Sequence, residues 1–289
     1  MHISQCYGVG RLGLSFELFP PKTAAGEQDL FAQLEHLMAF CPSFVTCTYG
    51  AGGSTRDKTL DVVTETHRRH GVTVAAHLTC VGSTVDQLRH FLREATERGV
   101  ENVVALRGDP PRGTDRFEPV AGGLRYANEL VALIRREFAH LGVAVAGYPE
   151  THQEAECPEA DLENLKRKVD AGADVVITQL FYDNTDYFRF YDRCRWAGID
   201  VPIVPGILPI TNLAQVQRIT SLCKARLPDE LTANLERHGD DPEAQVRIGV
   251  EFATAQVQGL IDGGVAGIHF YVLNKSHATS SILRHVRRP

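Results

Sequence analysis

Glu17 is the residue whose setting most invites chemistry. It stands among Phe16, Leu18, Phe19, Pro20 and Pro21. An apolar setting disfavours the ionised form of a carboxylate, so such a group can stay protonated near neutrality and serve as a general acid. A structural carboxylate paired to a cation is the plain alternative. A second acid, Asp109, follows Arg107 and Gly108 and precedes Pro110 and Pro111, whose fixed φ stiffens and directs the loop. Simple loop capping is its bland reading. Asp161, Asn164 and Lys168 share one helical face, with Leu162, Leu165 and Val169 on the other. A ribose and phosphates can use such a polar face, although alone it reads more often as a solvated one. His77 lies in an apolar run and suits a satisfied interior histidine. His152 has Glu150 and Glu154 nearby, but no HExxH or comparable cluster supports a metal site, and none is expected.

Two apparent signatures mislead. Gly8-Val9-Gly10-Arg11-Leu12-Gly13 fits GxGxxG, yet that motif holds a pyrophosphate only between a strand and the following helix. Here it precedes a strand. Arg107-Gly108-Asp109 spells an adhesion tripeptide, but it closes an apolar strand in a chain with no secretion signal.

The residues that carry chemistry recur at the ends of eight short apolar runs. These are LSFELFP from Leu14, FVTCTYGA from Phe44, VAAHLTC from Val74, VVALRGD from Val103, VAVAGYPE from Val143, VVITQLFYD from Val175, PIVPGILP from Pro202 and GIHFYVLN from Gly267. Helical periodicity fills the intervals. The expected fold is α/β, a single-domain (β/α)8 TIM barrel over 1–289 with residues 1–13 as an N-terminal extension; its site would lie at the C-terminal strand ends. Alternation puts Ser15, Glu17 and Phe19 on one face and Leu14, Phe16 and Leu18 on the other. It likewise separates Thr46 and Thr48 from Val45 and Cys47, His77 from Ala76 and Leu78, and Arg107 and Asp109 from Val104 and Leu106. The polar set is expected to converge on the barrel mouth.

The spacing predicts helices over Glu27–Phe40, Arg56–Arg69, Thr84–Arg98, Gly123–Leu141, Pro158–Ala171, Thr185–Ala197, Asn212–Ala225, Pro242–Asp262 and Ser276–Val286. Asp109–Gly123 reads as a loop over the mouth, and Leu227–Asp241 as an inserted short helix and turn. The loops after the last two strands lack the glycine-rich phosphate signature of many barrels, which disfavours a simple sugar-phosphate lyase or isomerase.

Composition narrows the class. A net charge of −6 argues against a general nucleic-acid surface. Seven scattered cysteines without a CxxC speak against a disulfide framework or structural zinc. No run approaches the ~18 apolar residues of a membrane span. A cytoplasmic enzyme is the expectation.

Taken in order, SFELFPPK, VTCTYGAGGSTRD, AAHLTC, VVALRGDPP, GYPETH, DLENLKRKVDAGAD, ITQLFYD, VPGILPI and HFYVLN resemble the methylenetetrahydrofolate reductases, from about Ser15 to the C-terminus. The resemblance implies a barrel binding FAD noncovalently at its mouth. NADH or NADPH would be the donor and 5,10-methylenetetrahydrofolate the acceptor, both using one pocket in turn by a ping-pong mechanism. It assigns Glu17 as the acid that protonates N10, and places Asp109 by the flavin and in contact with the pterin. Thr48, His77, Arg107, Gly108, Tyr148 and His152 would contact FAD, with Tyr126 and Ala127 as further contacts. Asp161, Asn164, Arg167 and Lys168 would hold its ribose and phosphates. Gln179, Gln215, Tyr271 and Lys275 would lie on the folate side. Two positions depart from the family pattern: Lys275 where arginine is common, and Ile219 where an aromatic residue often stands. A protein electron donor and a catalytically silent folate- or flavin-binding subunit are the rival readings. Family members often self-associate, so a homo-oligomer is allowed.

Overall fold

The computed structural model describes residues 1–8, 12–49, 56–110 and 117–288. The centre of the glycine motif (9–11), the end of the second signature (50–55) and part of the loop after Asp109 (111–116) lie outside them. Eight parallel strands close into a barrel in sequential order, so β1 pairs with both β2 and β8. They are β1 (Gly13–Leu18), β2 (Phe44–Cys47), β3 (Thr73–Thr79), β4 (Asn102–Leu106), β5 (Gly142–Gly147), β6 (Val175–Leu180), β7 (Ile203–Ile207) and β8 (Gly267–Tyr271). The helices are α1 (Ala24–Met38), α2 (Arg56–His70), α3 (Val85–Glu97), α4 (Ala127–Glu137), α5 (Pro158–Asp170), α6 (Asn184–Trp196), α7 (Leu213–Cys223), α8 (Asp229–Arg237), α9 (Pro242–Asp262) and α10 (His277–His285). The TIM barrel expected from the eight runs is therefore the fold, and the inserted helix before the last long one is α8. No helix among the described residues is long and apolar enough to cross a membrane.

Local chemistry sets the helix ends. Thr84 and Gln87 form a reciprocal capping box at the start of α3. The α1 helix starts three residues before the predicted Glu27 because Thr23 Oγ1 accepts from the Gly26 N–H. The α4 helix is shorter than the expected Gly123–Leu141. Glu129 accepts from the backbone N–H groups of Arg125 and Tyr126, fixing the first turn there. Gly122 turns the chain at φ 74°, and Gly123 bridges to Thr84.

Closing a parallel barrel buries every strand on both faces. Outward residues such as Phe16, Leu18, Val45, Leu78, Val103 and Ala105 join the helices in the main core. The lower interior is filled by Phe44, Ala75, Val104, Ala144, Val175, Ile177 and Val204, plugged from beneath by Ile3 and Tyr7 of the N-terminal segment. A third cluster beyond β6 and β7, containing Leu180, Tyr182, Leu208, Val216 and Leu235, seats α7 and α8. On β4 the expected sorting is corrected. Val104 and Leu106 belong to the interior side, and Arg107 lies past the strand's last residue. Gly108, at φ 86°, then breaks the alternation that grouped Arg107 with Asp109.

Asn102 ties the plug to the barrel. Its Oδ1 accepts from the Ile3 N–H at 2.7 Å, and its Nδ2 donates to the carbonyls of Met1 (3.1 Å) and Val74 (3.2 Å). A side chain on Gly142 would put a Cβ 2.2 Å from that Oδ1, so only glycine leaves room for the amide. Asn102→Ala strands a buried Ile3 N–H and is expected to cost roughly 2–4 kcal/mol in denaturant unfolding; an unchanged midpoint would remove this role.

Candidate functional site

Strand register brings the first acid to its partners. Glu17 lies level with Thr46 on β2 and Tyr271 on β8, and Ser15 level with His269. The Glu17 carboxylate is 8% exposed. One of its oxygens stands 3.3 Å from His77 Nε2 and 3.6 Å from His269 Nε2. His269 Nδ1 in turn shares a 2.8 Å hydrogen bond with Ser15 Oγ. The apolar niche inferred from the flanking residues is thus corrected. Phe16 and Leu18 turn into the helical layer, and the carboxyl group looks instead at two imidazoles. Burial lowers the pKa of His77, the nearby Glu17 charge opposes that, and His269 adds to it. Burial thus favours the neutral imidazole of His77, 3.3 Å from the Glu17 carboxyl group.

Above this group, the ends of β4, β5 and β6 meet α7 around a cavity of about 220 Å³ lined by Asp109, Tyr148, His152, Gln153, Gln179, Ile219, Leu222 and Cys223. Asp109 and Gln179, which sequence placed on separate strands, face the same space. The β6 register shifts between Ile177 and Leu180, and such irregularities re-aim side chains. Thr178 Oγ1 accepts from the Gly206 N–H at 2.9 Å, and the Leu180 N–H donates to Gln179 Oε1 at 2.9 Å. Tyr271 donates its hydroxyl to the Thr178 carbonyl at 2.6 Å. A Cβ on Gly206 would lie 2.6 Å from the tyrosine ring, so this glycine makes space for it.

The wall beyond is built on two rings. Tyr148 and His152 meet edge to face at 4.6 Å. The His152 N–H donates to Asp161 on α5 at 3.0 Å, and its Nδ1 accepts from the Glu154 N–H at 3.1 Å, which leaves the imidazole proton on Nε2. Burial, with the Arg107 charge, lowers the pKa of this histidine. Arg107 is gripped by both oxygens of Glu154 at 2.6 Å each.

Lys168 departs from the solvated face its helical position suggested. It turns inward, donates to the Ala146 carbonyl at 2.5 Å, and stands 5.8 Å from the centre of the Tyr148 ring. Burial pushes its pKa down to about 8 against the pull of Asp161. An ammonium has three donors; this one has a single hydrogen-bond partner and no carboxylate within ion-pair distance among the described residues. Asn164 and Arg167 lie exposed on the same helix, 3.4 Å apart.

Other expected residues stand apart from the cavity. Gln215 is exposed at the start of α7, where its N–H is capped by Asn212. Lys275 is exposed and paired with Asp29 at 2.9 Å. Tyr126 caps α4 and is 52% exposed, with Ala127 the first residue of that helix. Thr48 bonds through its N–H to the Leu18 carbonyl at the top of β1. His269, Thr178 and Gly206 were not singled out from sequence, while Ser15 was placed on the Glu17 face and Glu154 beside His152 without a role for either. For Ser15 and His269 the signal was present, since both alternate inward on strands already recognised. For Glu154 the sequence showed the proximity to His152 but not the pairing with Arg107, 47 residues away. No group of three or more metal-ligating side chains occurs among the described residues.

Comparison with known proteins matches this arrangement to one family. The family model described as methylenetetrahydrofolate reductase matches residues 2–287. The chain is 42% identical over 97% of its length to methylenetetrahydrofolate reductase (NADH) 1 of Zea mays, covering 49% of that protein. It is 41% identical over 94% of its length to the 5,10-methylenetetrahydrofolate reductase of Escherichia coli K12, covering 90% of it. The chain thus spans about half the length of the plant relatives and nearly all of the bacterial one. Among solved structures, a Clostridium thermocellum protein that binds two copies of 5-methyl-5,6,7,8-tetrahydrofolic acid superposes with a TM-score of 0.63 at 14% identity, covering 94% of this chain and 93% of that one; at that identity the likeness is one of fold. With the barrel, its ordered strand-end signatures and near-complete coverage by the family model in agreement, the chain belongs to the methylenetetrahydrofolate reductase family.

Proposed function

We propose that this chain reduces 5,10-methylenetetrahydrofolate to 5-methyltetrahydrofolate, using noncovalently bound FAD and a reduced nicotinamide in alternating half-reactions at one pocket. The observation that carries the reading is the pairing, at one barrel mouth, of a buried carboxyl group between two imidazoles with a cavity holding Asp109 and Gln179. The described residues fit a dinucleotide. Lys168 is a half-buried cation short of acceptors, as a pyrophosphate site requires, and it adjoins the Tyr148 and His152 rings at the cavity wall. Arg167 and Asn164 extend that polar face, and Asp161 anchors it to His152. When bound, FAD supplies a two-electron carrier able to accept hydride from NADH or NADPH and deliver it to the folate.

The protein's part is to move one proton and to orient the reactants. Opening the five-membered ring that bridges N5 and N10 of the folate requires N10 to become a leaving group. Glu17 supplies that proton; the bond between the bridging carbon and protonated N10 then breaks, leaving an electrophilic iminium between N5 and that carbon, which a hydride reduces to a methyl group. His77 and the Ser15–His269 pair give Glu17 two neighbours through which that proton can be restored. Asp109 contributes negative charge beside the electron carrier, which disfavours further negative charge there and so favours hydride donation. Gln179 offers an amide to the pterin edge, and Tyr271 stays fixed by Thr178 at the folate side. Ile219 lines the cavity with an aliphatic side chain.

The defining experiment is the anaerobic visible spectrum of FAD-loaded protein with NADH and then with methylenetetrahydrofolate. Bleaching followed by recovery of the flavin bands is expected; bands that persist with NADH and NADPH would transfer the donor role to a protein. Glu17→Gln is expected to keep the bleaching and to slow recovery by at least ~100-fold. Retained folate reduction would remove Glu17 as the acid. Asp109→Asn should raise the flavin midpoint potential and slow folate reduction, and an unmoved potential would contradict the electrostatic role. The pH dependence of FAD affinity tests Lys168. Only the protonated amine attracts the pyrophosphate, so affinity should be flat below, and decline above, pH of about 8. The decline should vanish in Lys168→Gln, and its persistence there would assign it to another group.

A further inference from the structure

We infer that Glu154 is a positioning residue that holds Arg107 and, through it, sets the two walls of the cavity relative to each other. The inference rests on the flavin reading above for its consequences, but the geometry that supports it does not. The Glu154 carboxylate receives two parallel bonds of 2.6 Å from the terminal nitrogens of Arg107, the bidentate geometry that fixes both planes. The third donor, Nε, returns to the Gly108 carbonyl at 3.1 Å, and Phe117 lies 5.1 Å from the guanidinium carbon. Gly108 cannot yield. It stands at φ 86°, and a Cβ there would meet Val81 at 2.5 Å. Asp109 therefore leaves the top of β4 in a direction set by Arg107 and Gly108 together.

The same glutamate reaches the opposite wall through its backbone. Its N–H donates to His152 Nδ1, which sets the imidazole tautomer next to Tyr148. One residue thus spans from the β4 end, carrying Asp109, to the β5 loop, carrying the two rings. The pairing also has an electrostatic side. Arg107 is stabilised as a cation first by Glu154 and to a lesser degree by Asp109, while Glu154 is held below the usual carboxylate range by Arg107. With Glu154 present, the guanidinium charge is neutralised locally and the negative charge of Asp109 is left uncancelled beside the cavity. Without it, Arg107 is free to turn to Asp109.

The test uses the full chain, with Glu154→Gln as the isosteric variant and Glu154→Asp as the conservative one. The first readout needs no cofactor: the Arg107 Nε–H resonance, assigned by its loss in Arg107→Lys. It should be sharp and slow to exchange in the wild type, broadened in E154Q and partly restored in E154D. In FAD-loaded protein, E154Q should raise the Kd for FAD several-fold and shift the flavin midpoint potential to more positive values. Because the pair is partly exposed, the melting temperature should move little. An E154Q protein matching wild type in resonance, Kd and potential overturns the inference. If the wild type takes up no FAD yet shows a protected, Glu154-dependent Arg107 resonance, the positioning role stands and the flavin reading falls.

Discussion

Closure of the eight-stranded parallel sheet is the constraint on which everything else depends. A closed barrel has no edge, so every strand is covered by helices outside and must be filled inside. The filling is graded. Phe44, Ala75, Val104, Val175 and Val204 pack the lower interior dry, and the N-terminal segment stoppers it. Higher up, Ser15, Glu17, His77 and His269 replace them. Strand register brings these polar groups together: Ser15 bonds His269 Nδ1 and His77 stands 3.3 Å from Glu17, while His269 Nε2 is buried without a hydrogen-bond partner among the described residues. The buried Glu17 cluster and the stability of the barrel are two halves of one packing problem.

The upper rim uses a second device. Chain segments leaving the strands are tied by side chains rather than by long secondary structure. Glu129 starts α4, Asp161 holds the loop after β5, and Asn274 bonds both the N–H and the carbonyl of Phe19. Asn274 does so at φ 56°, a left-handed conformation that asparagine tolerates, which is how the last loop turns without glycine. Of these ties, the Asp161 bond holds the loop that carries His152. On the far side, α7 rests on a separate apolar cluster and brings Ile219, Leu222 and Cys223 over the cavity.

Much of this was legible in the sequence, for definite reasons. Period-two alternation located the strands and placed Glu17, Thr46 and His77 inward, because a slip of one residue would have driven the apolar set out of the helical layer. The helix expected from Thr84 begins one residue later, at Val85, with Thr84 as its N-cap. What remained illegible was set by contacts between distant segments. Flanking residues suggested an apolar niche for Glu17, whereas its real neighbours sit on β3 and β8. Alternation misassigned Arg107 because β4 ends one residue earlier, at Leu106. Lys168 looked solvated by helical position, but its long flexible stem folds back to a strand carbonyl. The family resemblance supplied roles for these residues, not their surroundings.

The β1–β8 seam has a consequence for how the molecule is made. Its partners are separated by about 250 residues, from Gly13–Leu18 to Gly267–Tyr271. During synthesis, at roughly 5–20 residues per second, β1 waits many seconds with one hydrogen-bonding edge open, and Glu17 and Ser15 lack His269 and Tyr271 until the end. The growing chain is an incomplete, curling sheet whose free edge is a template for another strand. The cluster around Glu17 is therefore completed only once β8 has emerged, and until then the nascent barrel's hazard is edge-to-edge association.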